Sequence, residues 1–153
     1  AAADAELAIA ELPYSHRAHE FRGGALVGMG KRDEAIALMR RAIELQPGCA
    51  TAHAELADLI RAQGHRDEAL ALCRRAVELD ATDPSAHAAL GAVLTELRQW
   101  DEALRALDQS LAVDQSNPNI HFNRGQLLCR MGRTENALAA FRNCHNPSYD
   151  APR

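Results

Sequence analysis

The sequence predicts an all-α protein, a right-handed solenoid of stacked helix-turn-helix units, and three observations carry that reading. The chain repeats itself every thirty-four residues: His19, His53, His87 and His121 recur at that step, as do Ala35, Ala69, Ala103 and Ala137. A fixed period of this length means units that each bury one face against a neighbour. Each unit also carries two helix-length patterns, split by a short break at "GKRD", "GHRD", "RQWD" or "GRTE". Finally, Ala and Leu dominate while aromatics make up only 4%, which suits helices in close approach and argues against a sheet. With 153 residues, 47% of them hydrophobic, the chain is long enough to bury a core.

The period sets the elements in order. Ala8, Ile9 and Pro13 stand thirty-four residues before Ala42, Ile43 and Pro47, so residues 1–13 read as the second helix of an incomplete preceding repeat. Repeats follow at 16–49, 50–83, 84–117 and 118–145, giving nine helices, and 146–153 reads as linker or tail. Within the third repeat, His87, Leu90, Gly91 and Leu94 fall on one face of a helix, and that stripe is expected to face the core. Three further columns support it: Gly23, Ala57, Gly91 and Gly125; Leu26, Ile60, Leu94 and Leu128; and Ala42, Ala76, Ser110 and Cys144. Pro84 and Pro118 fit first-turn positions behind the capping residues Asp83 and Asn117. Asp33, Asp67 and Asp101 open the second helices, where a carboxylate favours the positive end of the dipole. The "QPG" at 46–48 closes a helix, because proline cannot continue one.

These columns resemble the tetratricopeptide repeat family, most fully in "AHAELADLIRAQGHRDEALALCRRAVELD" at 52–80, and the resemblance runs from about 16 to 145. The chain departs from it by placing His where the family often has a large side chain, and Arg22 and Arg124 where Leu56 and Leu90 stand in the other repeats. The resemblance implies a protein–protein interaction module that binds a peptide or helix of a partner in a concave groove. Some relatives grip a terminal carboxylate with Lys, Asn and Arg on the groove wall. Lys31 is the only lysine here and lies in a turn, so that set is missing. The asparagine ladder of relatives that precede sugar transferases is missing too, since Phe21, Glu55, Ala89 and Asn123 occupy its column.

Composition removes several other functions. Net charge is −4 and the 17 basic residues are spread along the chain, with no Lys/Arg stripe for a nucleic acid. No apolar run is long enough to insert in a membrane. Cys49, Cys73, Cys129 and Cys144 form no C-x-x-C pair and read as reduced thiols, which points to the cytoplasm. The four histidines invite a metal reading, but equivalent helices about 8–10 Å apart hold their side chains parallel, and ligands of one zinc must converge. Each His is therefore expected to fill the seam between the two helices of its repeat. Neither Cys144 beside His145 nor His65 eight residues before Cys73 has an orienting carboxylate fixed by spacing, so no catalytic residue, metal or cofactor is assigned.

With the seam facing inward, the other face of each first helix is expected to line the groove. The positions are Arg17, Glu20, Gly24, Val27 and Gly28; then Thr51, Ala54, Asp58, Arg61 and Ala62; then Ser85, Ala88, Ala92, Thr95 and Glu96; then Asn119, Phe122, Gln126, Cys129 and Arg130. Of these, Arg17, Glu20, Gly24, Gly28, Thr51, Asp58, Arg61, Thr95, Phe122, Gln126 and Arg130 are the candidate partner-binding residues. Gly24 and Gly28, one helical turn apart, leave the wall nearly bare, which reads either as drift in a weak end unit or as close approach of a partner segment or of the preceding unit's missing helix. The alternative function is a recruiting or self-associating arm of a larger multidomain enzyme, because the chain opens without Met and ends in "HNPSYDAPR".

Overall fold

The computed structural model describes residues 26–145, and the expectations placed on 1–13, Arg17, His19, Glu20, Gly24 and 146–153 lie outside them. Residues 26–28 are helical. Seven full helices follow: α1 (Arg32–Leu45), α2 (Ala50–Ala62), α3 (Arg66–Leu79), α4 (Pro84–Glu96), α5 (Trp100–Val113), α6 (Pro118–Arg130) and α7 (Thr134–His145). No strand occurs among the described residues. The chain divides into two compact units, Ala1–Leu79 and Asp80–Arg153.

α4 and α6 start where side chains supply the missing acceptors, whereas α1, α2 and α5 begin without a side-chain cap. Asp83 accepts from the Ser85 amide at 2.8 Å, and Asn117 accepts from Asn119 and Ile120 at 3.1 and 3.4 Å, with Pro84 and Pro118 at the first helical positions. The turns inside the helix pairs need a left-handed residue. Gly30, Gly64 and Gly132 supply it at φ +76°, +90° and +74°, and in the third pair Arg98 takes the same conformation at φ 62°.

The first unit packs α2 against both α1 and α3, and the second packs α4 on α5, α5 on α6 and α6 on α7. Its position between two helices explains why α2 buries Ala50, Ala52, His53, Ala54, Leu56, Ala57, Leu59 and Ile60, leaving only a narrow exposed stripe. Ala54, expected on the groove wall, is accordingly 3% exposed and belongs to the core. In the second unit α4 and α6 have no side chain at the small-residue column. A Cβ on Gly91 would stand 2.7 Å from Leu107 Cγ, and one on Gly125 would stand 2.6 Å from Phe141 Cε1. The glycines are thus the sockets for the large residues sixteen positions later, which dispersion packing fills without a void. Ser110, in the column otherwise held by Ala42, Ala76 and Cys144, is fully buried and donates its hydroxyl to the Pro84 carbonyl at 2.8 Å.

His53, His87 and His121 are all buried, as the seam predicts. Each ring binds a backbone carbonyl at 2.8 Å: His53 through Nδ1 to Cys49, His87 through Nε2 to Ala81, and His121 through Nε2 to Gln115. Arg124, which replaces a leucine of the other repeats, is half-buried and donates to Asp108 at 2.6 Å, so the apolar position is exchanged for an ion pair between α6 and α5.

Candidate functional site

The candidate residues that the structure describes sit on the outer stripes of α2, α4 and α6 and at the end of the helix before α1. In the first unit Gly28 is exposed with open space around it, and Thr51 is exposed at the start of α2. Two turns later Asp58 and Arg61 pair at 3.3 Å on the same stripe. Being solvent-exposed at Asp58, the pair contributes little to stability. Beneath it lies the Cys73 thiol, fully buried and pushed up to about 12 by desolvation, with the Asp58 charge adding to the rise and Arg61 opposing it. A rise of that direction keeps the thiol protonated around neutral pH.

The same stripe borders a cleft of about 250 Å³ lined by Val27, Met39, Glu55, Asp58 and Leu59. The structure therefore brings Asp58 together with Val27, the neighbour of Gly28 in sequence, while Thr51 stands apart at the other end of α2. Glu55, Met39 and Leu59 were not among the expected residues. Glu55 was legible, since a residue three before Asp58 shares its helical face; Met39 and Leu59 reach the cleft from the core, which spacing alone does not reveal.

In the second unit Thr95 is half-buried and its hydroxyl donates to the Gly91 carbonyl at 2.7 Å, so its proton is already engaged within α4. On α6, Phe122, Gln126 and Arg130 follow one another at four-residue steps and are all exposed. Phe122 is 48% exposed, yet its ring lies 5.8 Å from that of Phe141 at a tilt of 57°, which holds it in place as a fixed apolar platform. Among the described residues no three His, Cys, Asp or Glu side chains gather as a metal site, and no helix is long and apolar enough to cross a membrane.

Two family profiles match the chain: "Tetratricopeptide repeat" over residues 22–84 and "TPR repeat" over residues 93–132. No curated protein matches it in sequence. Among solved structures, a thermophilic TPR protein of Thermus thermophilus superposes with a TM-score of 0.84 at 21% identity, over 96% of this chain and 81% of that one. The crystal structure of MamA gives 0.74 at 17% identity over 94% and 84% of the two chains. A chain of the APC/C hetero-tetramer Cut9-Hcn1 gives 0.85 at 18% identity, over 97% of this chain and 28% of that one. These likenesses speak to the fold, and they agree with the profiles. The chain belongs to the tetratricopeptide-repeat family, and its fold is all-α repeats of that kind.

Proposed function

We propose that the chain is a non-catalytic protein–protein interaction module, parsed into repeats at 16–49, 50–83, 84–117 and 118–145, that takes a peptide or helix of a partner protein in a concave groove lined by its first helices. Membership of a family of interaction scaffolds supports the general class. The observation that carries the finer reading is the division of labour within those helices. They bury small residues and histidine inward, and they leave Thr51, Asp58 and Arg61 in one unit and Phe122, Gln126 and Arg130 in the other facing outward. An exposed aromatic flanked by hydrogen-bonding and charged side chains is the composition of a recognition surface. The even spread of 17 basic among 21 acidic residues favours a protein over a nucleic acid, and the free cysteines favour the cytoplasm. Of the relatives, the APC/C chain is described as part of a hetero-tetramer, in keeping with assembly as the use of this scaffold.

The test is affinity capture from native extract by the full chain, compared with two variants: Thr51→Arg with Asp58→Lys, and Phe122→Ala with Arg130→Glu. A partner held by the parent and released by at least one variant, with helical dichroism unchanged, is the expected result. Equal capture by the parent and both variants would place recognition elsewhere.

A further inference from the structure

We propose that the outer face of α7 is a dimer interface, packing antiparallel on the same face of a second copy through Glu135, Leu138 and Arg142. The repeats show what this face does elsewhere. Thirty-four residues before Leu138 stands Leu104 of α5, half-buried and packed on Leu128 of α6 with Ala137 and Ala140 of α7. In the first unit the same position is Ile36 of α1, only 7% exposed. Leu138 is 58% exposed. The position one turn on repeats the contrast. Arg40 of α1 pairs with Glu68 of α3 at 3.1 Å, and Asp108 of α5 pairs with Arg124 of α6 at 2.6 Å. Arg142 stands in the same register, exposed and without a hydrogen-bond or ion-pair partner among the described residues. α7 thus carries the leucine and the charge of a packing face, and no described helix covers them.

A third residue selects the occupant. Glu135 is exposed too and has no partner among the described residues; it lies three positions before Leu138 and seven before Arg142, so acid, leucine and base share one stripe. A two-fold axis crossing the stripe at its midpoint turns the second helix antiparallel and sets Glu135 of each copy opposite Arg142 of the other. The two leucines then meet at the axis, and a Glu–Arg pair closes each end. A parallel pairing would set acid on acid and base on base, whereas the antiparallel one also places the positive end of each helix dipole beside the negative end of the other. The stripe is therefore complementary to itself. One face of a 12-residue helix is smaller than a standard interface, so the dimer is weak, with a dissociation constant of about 100 µM. None of the three residues belongs to the groove, and the dimer stands apart from the groove reading.

Sedimentation equilibrium of the full chain tests it, in reductant so that the exposed Cys129 forms no disulfide. Arg142→Glu and Glu135→Arg are each expected to weaken association by about tenfold or more, because both pairs become repulsive. The two changes together should restore it to within about threefold of the parent, since the pairs re-form with their signs exchanged. Leu138→Ser should also weaken it, and helical dichroism should stay unchanged throughout. A chain that remains monomeric up to about 1 mM overturns the proposal, and so does a dimer of equal strength in Arg142→Glu or a double variant no better than the single ones. Extract capture reads out separately: a partner held through Phe122 and Arg130 leaves the groove reading standing when the dimer fails, and the charge-swap pattern supports the dimer when no partner is found.

Discussion

A carbonyl oxygen only accepts, so the ring nitrogen that meets it must carry the proton. His87 and His121 are therefore Nε2–H tautomers, with Nδ1 buried and without a hydrogen-bond partner, whereas His53 is the Nδ1–H tautomer. The difference traces to the loops that precede them. In "DATDP" and "DQSNP" the carboxylates of Asp80 and Asp114 accept from both the amide and the hydroxyl of Thr82 and Ser116, folding the loop so that the Ala81 and Gln115 carbonyls reach the rings. "QPGCA" has no such Asp, and His53 turns instead to the carbonyl of its own helix cap, Cys49. Long-range nitrogen–proton correlation spectra should show His53 in the opposite ring state to the other two; a shared tautomer would contradict the geometry. The packing role of these histidines was legible from the period. Their tautomers were not, because each depends on a loop whose own hydrogen bonds select the carbonyl on offer.

The helix pairs show a compensation of volume that no single column reveals. Gly91 faces Leu107 and Gly125 faces Phe141, while the equivalent register of the second repeat holds Ala57 and Cys73, a larger residue on the first helix and a smaller one on the second. Gly91→Ala is accordingly expected to destabilise the protein by about 1–3 kcal/mol through overpacking, despite a helix-propensity gain of about 1 kcal/mol. In a Leu107→Cys background the same change should be neutral or stabilising; urea titrations that give an equal penalty in both backgrounds would remove the socket account. The sequence displayed the small column plainly, but its pairing with the column sixteen residues later emerges only when two helices meet. The turn within the third pair is the opposite case. Arg98 stands where the other repeats have Gly30, Gly64 and Gly132, so its left-handed backbone was readable from register. Relieving it by Arg98→Gly should stabilise the protein by about 1 kcal/mol, visible as a higher melting temperature, and a lower one would show that the arginine side chain outweighs its backbone strain.

Across the whole molecule the fold was legible because one period of thirty-four residues runs through it, whereas the candidate stripes were only partly so, since burial from two sides moved Ala54 inward and a core residue, Met39, came to floor the cleft. The loops give the chain a shared response to acid. The Asp80 and Asp114 carboxyls are held below the ordinary range first by the hydroxyl bonds from Thr82 and Ser116 and then by their amides. A lowered folded-state value means the unfolded chain takes up protons first, so this support is complete above the usual carboxylate range and drains away as pH falls through the depressed one. Melting curves between about pH 6 and pH 2 should therefore fall less steeply for Asp80→Asn with Asp114→Asn than for the parent, and parallel curves would show that the loops carry no such linkage. The packing within α2 and α3, α4 and α5, and α6 and α7 also has a kinetic meaning. Helices joined by a three-residue turn find each other through a short search, so relative contact order is low and folding belongs in the microsecond-to-millisecond range rather than the seconds of sheet proteins. During synthesis each hairpin has its socket and its filler within one repeat, and it can close before the next has left the ribosome.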